Sequence, residues 1–139
     1  MTSPGFDEYV AHIELADTDA FGVIFWGSAV RWTQRGYENL ARNAGHPIEK
    51  MLSLDYDHPI VNASMEYHRP LRLGDRIRVR TDIPKVGNRS FHVRSRVFGS
   101  DDQLAVQTTI IHVAASRTNS PVRLDHWIRA LGERAAAAE

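Results

Sequence analysis

Asp17-Thr18-Asp19-Ala20-Phe21-Gly22-Val23-Ile24-Phe25-Trp26 divides the chain into two patterns, because it separates a short alternating segment from the long helical pattern that follows. Its acidic and small residues predict a tight turn, and its last four residues form an apolar run. Before it, alternation from Tyr9 to Leu15 predicts a strand. After it, apolar residues three or four positions apart predict a helix over 28–44, which Gly45 and Pro47 end.

Gly36 lies inside this predicted helix, where glycine costs about 1 kcal/mol relative to alanine. A sheet that packs close to the helix backbone would explain the glycine, because such a contact leaves no room for a side chain. We therefore expect a sheet to approach the helix backbone at this position.

The remainder of the chain has mainly β patterns. After a mixed connection over 46–58 that has room for one short helix, alternation predicts strands over 61–67, 77–83, 91–97 and 104–115. The last strand has apolar residues on both faces, which places it in the middle of the sheet. A closing helix is predicted over 124–138.

One long helix against a mostly antiparallel sheet is a two-layer α+β arrangement. We expect a single domain over 1–139, with residues 1–6 and 134–139 frayed. Because one helix covers only one face of the sheet, the other face predicts a homo-oligomer.

The composition excludes several kinds of site. The chain has 139 residues, no cysteine, and 17 basic residues that balance 17 acidic ones. Disulfides, thiolate zinc sites and cysteine nucleophiles are therefore excluded, and neither nucleic acid nor a membrane is an expected partner. The 7 histidines lack the spacing of metal ligands, so no metal is expected. Since no leader or membrane-spanning pattern occurs, we expect a cytoplasmic protein.

The balanced total hides an uneven distribution of charge. Residues 1–68 carry ten acidic and four basic side chains, whereas residues 69–96 carry two acidic and nine basic ones. Arginines on a solvent-exposed face of a sheet keep the protein soluble, and a cluster of arginines can also bind phosphate groups. Composition leaves both interpretations open.

The two aspartates before the helix also allow two interpretations. A carboxylate there can end a turn and interact favourably with the helix dipole. It can instead act as a nucleophile or general base, next to helical N–H groups that hold the oxyanion formed from a carbonyl. The residues alone do not distinguish a structural aspartate from a catalytic one.

The same stretch, followed by Arg31 and Trp32, resembles the motif of hotdog-fold acyl-CoA thioesterases, most closely the 4-hydroxybenzoyl-CoA thioesterase type. Later segments match in order and spacing, so the resemblance covers about residues 8–115: Pro59-Ile60-Val61, Arg69-Pro70-Leu71-Arg72-Leu73-Gly74-Asp75 and Arg89-Ser90-Phe91. It implies a five-stranded sheet wrapped around one central helix, hydrolysis of an acyl thioester, and sites between paired subunits in a dimer of dimers. It implies no cofactor beyond the coenzyme A or phosphopantetheine of the substrate.

The resemblance implies roles for individual residues. Asp19 takes the position of the catalytic carboxylate, and Asp17 supports the turn. The backbone N–H of Trp26 corresponds to the oxyanion donor, although the family more often has Tyr or His there. Gly22 shapes the loop, and the bulky Phe21 predicts a narrow acyl pocket.

Other positions are expected to contact the substrate. Arg89 and Ser90 correspond to the segment that meets the coenzyme A phosphates, but Gly87 and Asn88 precede them where some members are more basic. An acyl carrier protein is therefore as suitable a thioester donor as coenzyme A. The remaining expected contacts are a polar strand face and one histidine: Asn62, Ser64, Glu66 and His58, with Glu66 as a second candidate carboxylate.

Three alternative functions stay open. A hotdog hydratase or dehydratase pairs a histidine with an acid, but we expect no histidine next to the aspartate loop. A non-catalytic acyl-thioester binding module would be stabilised by ligand without turnover. A protein-interaction domain would not respond to acyl-CoA at all.

Overall fold

The computed structural model describes residues 4–138. Five strands form an antiparallel sheet: β1 Phe6–His12, β3 Ile60–Tyr67, β4 Arg76–Val86, β5 Ser90–Phe98 and β6 Leu104–Val113. Their spatial order is β1-β4-β5-β6-β3, and β2 Tyr56–Asp57 pairs separately with β7 Ala115–Ser116. The helices are α1 Trp26–Asn43 and α2 His126–Ala137, with short 3₁₀ helices at Leu15–Asp17 and Ile48–Ser53.

The predicted α+β arrangement is confirmed, and β6 occupies the expected interior position between β5 and β3. The first strand differs from its prediction over Tyr9–Leu15, since β1 begins at Phe6 and ends at His12. It ends early because the 3₁₀ helix at Leu15–Asp17 turns the chain.

Gly36 confirms the expected close approach of sheet and helix. A Cβ on this residue would lie 2.6 Å from the Thr81 Cβ and would overlap the Thr81 hydroxyl oxygen. Around this contact, α1 buries Tyr37 and Leu40 against the sheet, where they pack with Phe91 and other core residues. The glycine therefore lets α1 lie close to β4.

The second helix packs on the same face of the sheet and is ordered further than predicted. Ile128 and Leu131 are fully buried, and Ala135 is buried near the end of α2. Gly5 fits against this last turn, where a Cβ would lie 2.8 Å from the Ala135 nitrogen. Residues 134–137, which the sequence predicts to fray, are thus part of α2, whereas residues 1–3 and 139 lie outside the described part of the chain.

The face of the sheet away from the helices carries much of the arginine-rich segment. Asp82 accepts hydrogen bonds from Arg94 at 2.7 and 3.0 Å and from Arg96 at 3.4 Å. Arg78 pairs with Glu8 and with an aspartate in the β5–β6 turn. These ion pairs support the structural interpretation for Arg78, Arg94 and Arg96.

Among residues 4–138, no helix is long and apolar enough to cross a membrane.

Candidate active site

The aspartate loop is a tight hairpin ahead of α1. Thr18 pairs with Ile24, and the Asp19 N–H donates to the Val23 carbonyl at 2.9 Å. The Gly22 N–H donates to the Asp19 carbonyl at 3.1 Å, and Gly22 has a φ of +78°. A turn followed by a left-handed residue closes a short hairpin, and glycine adopts that conformation without strain. Gly22 thus has the conformation that its predicted loop-shaping role requires.

Asp17 lies beneath this loop and is only 2% exposed. Its carboxylate pairs with Arg31 and accepts the Glu14 N–H at 2.8 Å. Its main-chain carbonyl accepts the Phe25 N–H at 2.8 Å and the Ser28 hydroxyl at 2.9 Å. These contacts fasten the loop to the first turn of α1 and engage both carboxylate oxygens. The geometry fits the supporting role that the sequence predicts for Asp17.

Asp19 is exposed at the tip of the hairpin. Its Oδ1 accepts the Phe21 N–H at 2.8 Å, and within residues 4–138 its Oδ2 has no hydrogen-bond partner. Such a carboxylate can attack a carbonyl carbon or take a proton from water. The Phe21 side chain is exposed and does not line the cavity beside the loop in the single chain, so the narrowing of an acyl pocket by this residue stays a prediction.

The N-terminus of α1 presents unpaired donors. Phe25 is the N-cap residue and contributes no side-chain hydrogen bond. The Ser28 N–H turns back to the Phe25 carbonyl at 3.0 Å, whereas the Trp26 and Gly27 N–H groups have no partner in the described chain. Gly27 lies against the Phe25 ring, where a Cβ would be 2.6 Å from a ring carbon. First-turn N–H groups carry the positive end of the helix dipole and can hold an oxyanion.

A cavity of about 310 Å³ opens between the hairpin and the end of β3. Its walls are Val23, Ile24, Tyr67, His68, Arg69 and Pro70. The Tyr67 hydroxyl donates to the Trp26 carbonyl at 2.8 Å, which joins the cavity wall to the start of α1.

His68 corrects one expectation, because it is a histidine beside the aspartate hairpin. Its Nε2 lies 3.7 Å from a Glu66 carboxylate oxygen. Sequence reasoning missed His68 and Arg69 as wall residues, since their only signal is that they follow the alternating segment of β3.

Arg89 and Ser90 line a second cavity, of about 670 Å³. The loop that follows β7 forms much of the opposite side, and the other wall residues are Asn88, Val113, Ala114, Ala115, Ser116, Asn119, Ser120 and Val122. None of these residues is acidic, and Arg89 has no ion pair among residues 4–138. A free guanidinium among hydroxyl and amide groups is suited to phosphate oxygens.

The polar face of β3 points away from α1. Ser64 lies opposite Thr109, on the same face as Asn62 and Glu66, whereas Met65 between them packs into the core with α1. All three polar side chains are exposed on a strand at the edge of the sheet. They therefore do not face the aspartate hairpin of their own chain.

His58 is buried, and the predicted substrate contact is wrong within the single chain. Its side chain is 4% exposed; Nδ1 lies 3.2 Å from the Tyr37 hydroxyl and Nε2 lies 3.1 Å from Asp125 Oδ1. Asp125 also accepts the Tyr56 hydroxyl at 2.7 Å and the Trp127 indole N–H at 3.2 Å. Burial by itself raises the pKa of Asp125, but the hydrogen bonds from His58 and Tyr56 outweigh it and lower that pKa below its ordinary value.

The hairpin, the helix N-terminus and the smaller cavity form one candidate site. The hairpin carries the exposed Asp19 carboxylate, lines the cavity with Val23 and Ile24, and leads into the start of α1, whose first two N–H groups have no partner among residues 4–138. A carbonyl compound held there can be attacked while its oxygen is stabilised. Within residues 4–138, no group of three His, Asp or Glu side chains is arranged to hold a metal ion.

Comparisons with known proteins identify the family of the chain and a similar hydrolase. The sequence model of the Thioesterase superfamily matches residues 21–106. A 1,4-dihydroxy-2-naphthoyl-CoA hydrolase from Crocosphaera subtropica is 29% identical over 129 residues, which cover 87% of this chain and 94% of the relative.

Solved structures share the fold. A 1,4-dihydroxy-2-naphthoyl-CoA thioesterase from Synechocystis has a TM-score of 0.81 at 22% identity, covering 91% of this chain and 95% of its own. A mutant 4-hydroxybenzoyl-CoA thioesterase complexed with 4-hydroxybenzoyl-CoA has a TM-score of 0.77 at 18% identity, covering 91% and 97%. The predicted hotdog fold and thioester hydrolysis are thereby confirmed. Because the family match extends over more than half of the residues, the chain belongs to the thioesterase superfamily.

Proposed function

We propose that this protein hydrolyses an aromatic acyl-CoA thioester, with Asp19 as the catalytic carboxylate and the N–H groups of Trp26 and Gly27 as the oxyanion site. One observation carries the proposal: the exposed Asp19 carboxylate stands on a hairpin that Asp17 fastens to a helix N-terminus with two free N–H groups. An aromatic acyl group is supported by the Tyr67 ring in the adjacent cavity and by the dihydroxynaphthoyl-CoA relatives.

Two routes use this arrangement. In the first, the Asp19 carboxylate removes a proton from water while the water oxygen bonds to the thioester carbon, and the carbonyl oxygen becomes an oxyanion held by the N–H groups. Collapse breaks the carbon–sulfur bond, and the thiolate takes up the proton. In the second, an Asp19 oxygen attacks, the thiolate leaves, and water hydrolyses the mixed anhydride. Both routes give one free acid and one thiol.

The larger cavity supports coenzyme A as the thiol carrier. Arg89 supplies a positive charge that has no ion pair among residues 4–138, and Ser90 supplies a hydroxyl group, on a wall whose described residues include no acidic side chain. We assign the phosphates of coenzyme A to this cavity. An acyl carrier protein presents a single phosphodiester at its pantetheine arm, and a matched acyl-carrier substrate tests that alternative.

A second copy of the chain would complete the site. Within the described chain β3 pairs only with β6, so its other edge is open, and it exposes Ile60, Val61 and Tyr67. An apolar edge strand of this kind favours pairing with an identical strand. We assign the dimer interface to β3, which would bring Asn62, Ser64 and Glu66 next to the partner's site, and we expect two such dimers to associate.

The decisive experiment compares wild type with Asp19→Asn, using Asp55→Asn as a matched control on an exposed aspartate remote in sequence. Aryl, short-chain and long-chain acyl-CoA esters and acyl-carrier thioesters are offered, and free thiol is measured. We expect aryl-CoA hydrolysis to fall by about 10²–10⁴-fold in Asp19→Asn only. A fully active Asp19→Asn variant would contradict the assignment.

The same assay tests the other functions. Loss of substrate without release of thiol would indicate a hydratase or dehydratase, for which His68 beside the hairpin is the candidate base. An increase in melting temperature with acyl-CoA but no turnover would indicate a binding module.

A further inference from the structure

The hydrogen bond between Tyr67 and the first residue of α1 connects two distant parts of the site. The Tyr67 hydroxyl donates to the Trp26 carbonyl at 2.8 Å, and the two residues are 41 positions apart. Tyr67 is the last residue of β3, and it is 46% exposed. Its hydroxyl also lies 3.4 Å from the Met65 sulfur, which is a much weaker acceptor than a carbonyl oxygen.

The accepting carbonyl is covalently tied to a proposed oxyanion donor. The Trp26 C=O and the Gly27 N–H belong to one planar peptide unit, in which they point in opposite directions. A bond that fixes the direction of the carbonyl therefore fixes the direction of the N–H. It also polarises the peptide, which strengthens the N–H as a donor.

This peptide belongs to the first turn of α1, where the helical conformation sets its general direction, and the Tyr67 hydroxyl adds a hydrogen bond from outside the helix. Phe25 contributes no side-chain cap, and the residue after the peptide bond is Gly27, which tolerates more backbone conformations than any other residue. A larger residue at position 27 is disfavoured, because its Cβ would collide with the Phe25 ring. The donor at the start of α1 thus has no side-chain cap, and Tyr67 holds its peptide from outside the helix.

We propose that Tyr67 is a positioning residue for thioester hydrolysis: through the Trp26 carbonyl, its hydroxyl aims the Gly27 N–H at the oxyanion. This inference rests on the proposed function. The Tyr67 ring and hydroxyl have separable roles, because the ring lines the smaller cavity while the hydroxyl points to the helix. Loss of the ring weakens substrate binding, whereas loss of the hydroxyl alone weakens stabilisation of the transition state.

The chain supplies a matched control for this bond. Tyr9 also donates its hydroxyl to a carbonyl of α1, that of Trp32 at 3.0 Å, but more than one turn further along the helix. Tyr67→Phe and Tyr9→Phe therefore each remove one tyrosine–carbonyl hydrogen bond from the same helix. Only the first touches the peptide that carries the Gly27 N–H.

The test measures kcat and KM for an aryl-CoA ester in wild type, Tyr67→Phe, Tyr67→Leu and Tyr9→Phe. We expect kcat of Tyr67→Phe to fall about tenfold, the effect of one lost hydrogen bond, with KM changed less than about twofold. Tyr67→Leu should also raise KM, and Tyr9→Phe should keep the wild-type kcat. Equal kcat values in wild type and Tyr67→Phe, or an equal fall in Tyr9→Phe, would overturn the proposal.

An NMR measurement keeps this inference separate from the proposed function. The amide shift and residual dipolar coupling of Gly27 report the direction of its N–H without any turnover. They should change in Tyr67→Phe and stay constant in Tyr9→Phe. If wild type hydrolyses no thioester, the proposed function fails, and an unchanged Gly27 coupling in Tyr67→Phe overturns the positioning role independently.

Discussion

The backbone of Gly36 in α1 contacts the side chain of Thr81 in β4, and this contact sets how closely the helix approaches the sheet. A Cβ on Gly36 would lie 2.6 Å from the Thr81 Cβ and 2.9 Å from its Cγ2. Thr81 cannot easily turn aside, because its hydroxyl lies 2.6 Å from the Ser95 hydroxyl in the buried core. The glycine is therefore a packing requirement of the fold.

Gly36→Ala is expected to destabilise the protein. Helix propensity alone predicts a gain of about 1 kcal/mol, but the collision with Thr81 costs about 1–3 kcal/mol or more, so the free energy of unfolding should fall. Chemical denaturation measures the change. Thr81→Ala removes the hydroxyl and Cγ2 but keeps the Cβ, so the double variant should recover part of the loss. A more stable Gly36→Ala variant would contradict the contact.

The sequence predicted those features that are encoded locally. The aspartate turn, the length of α1 and the need for close packing at Gly36 each follow from neighbouring residues or from one helical face. The sequence alone did not predict contacts between distant segments of the chain. The hydrogen bond from His58 to Asp125 joins residues 67 positions apart, and neither residue alone indicates the other. Tyr67 likewise gives no sign in the sequence that its hydroxyl reaches Trp26.

The ends of elements were also harder to predict than the elements themselves. The alanine-rich end of the chain suggests fraying, yet α2 continues to Ala137 because its apolar face packs on the sheet and Gly5 closes against its last turn. The burial of His58 was missed for a comparable reason, since a histidine in a connecting segment gives no local sign that it is buried.

Asp17→Asn and Asp19→Asn should separate the structural role of Asp17 from the catalytic role of Asp19. Asp17 is buried and receives a main-chain N–H, so loss of its charge should lower the free energy of unfolding by about 1–3 kcal/mol. Asp19 is exposed, and its replacement should leave stability within about 0.5 kcal/mol while activity is lost. Denaturation curves and hydrolysis rates of the two variants provide the comparison. Equal effects on stability would show that the two aspartates have not been assigned correctly.

Arg89→Ala should weaken binding of coenzyme A rather than the chemical step. Its guanidinium is the charged group of the larger cavity, so its loss should raise KM for acyl-CoA about tenfold with little change in kcat. The matched substrate is the corresponding acyl-pantetheine, which lacks the phosphates and should be hydrolysed equally by both proteins. High salt should reduce the difference for acyl-CoA. A fall in kcat for both substrates would instead indicate a structural role for Arg89.

His112 should make the fold sensitive to mild acid. It is 3% exposed and stacks on Phe91 with ring centroids 5.0 Å apart, and its Nδ1 lies 2.9 Å from the His58 carbonyl. Its Nε2 is buried without a partner among residues 4–138. Burial lowers the pKa of His112 below the ordinary value of 6.5, because the charged imidazolium would lose its hydration.

The sign of the pH effect follows from this lowered pKa. Below about pH 6.5 the unfolded chain binds a proton that the folded chain resists, so the stability of the fold is full above that pH and declines as the pH falls, by at most about 1.4 kcal/mol per unit. Asp125 does not contribute in this window, since its pKa lies below the ordinary 3.8. His92 contributes in the same direction, because burial and then Lys85 lower its pKa as well.

Denaturation of wild type, His112→Gln and His92→Gln between pH 5 and pH 7.5 tests this effect. Glutamine can keep a donor for the His58 carbonyl but has no proton to gain, so His112→Gln should be less stable at pH 7.5 and should lose stability less steeply on acidification. His92 is only partly buried, and its replacement should flatten the curve less. Parallel curves for wild type and His112→Gln would mean that protonation of another group controls acid sensitivity.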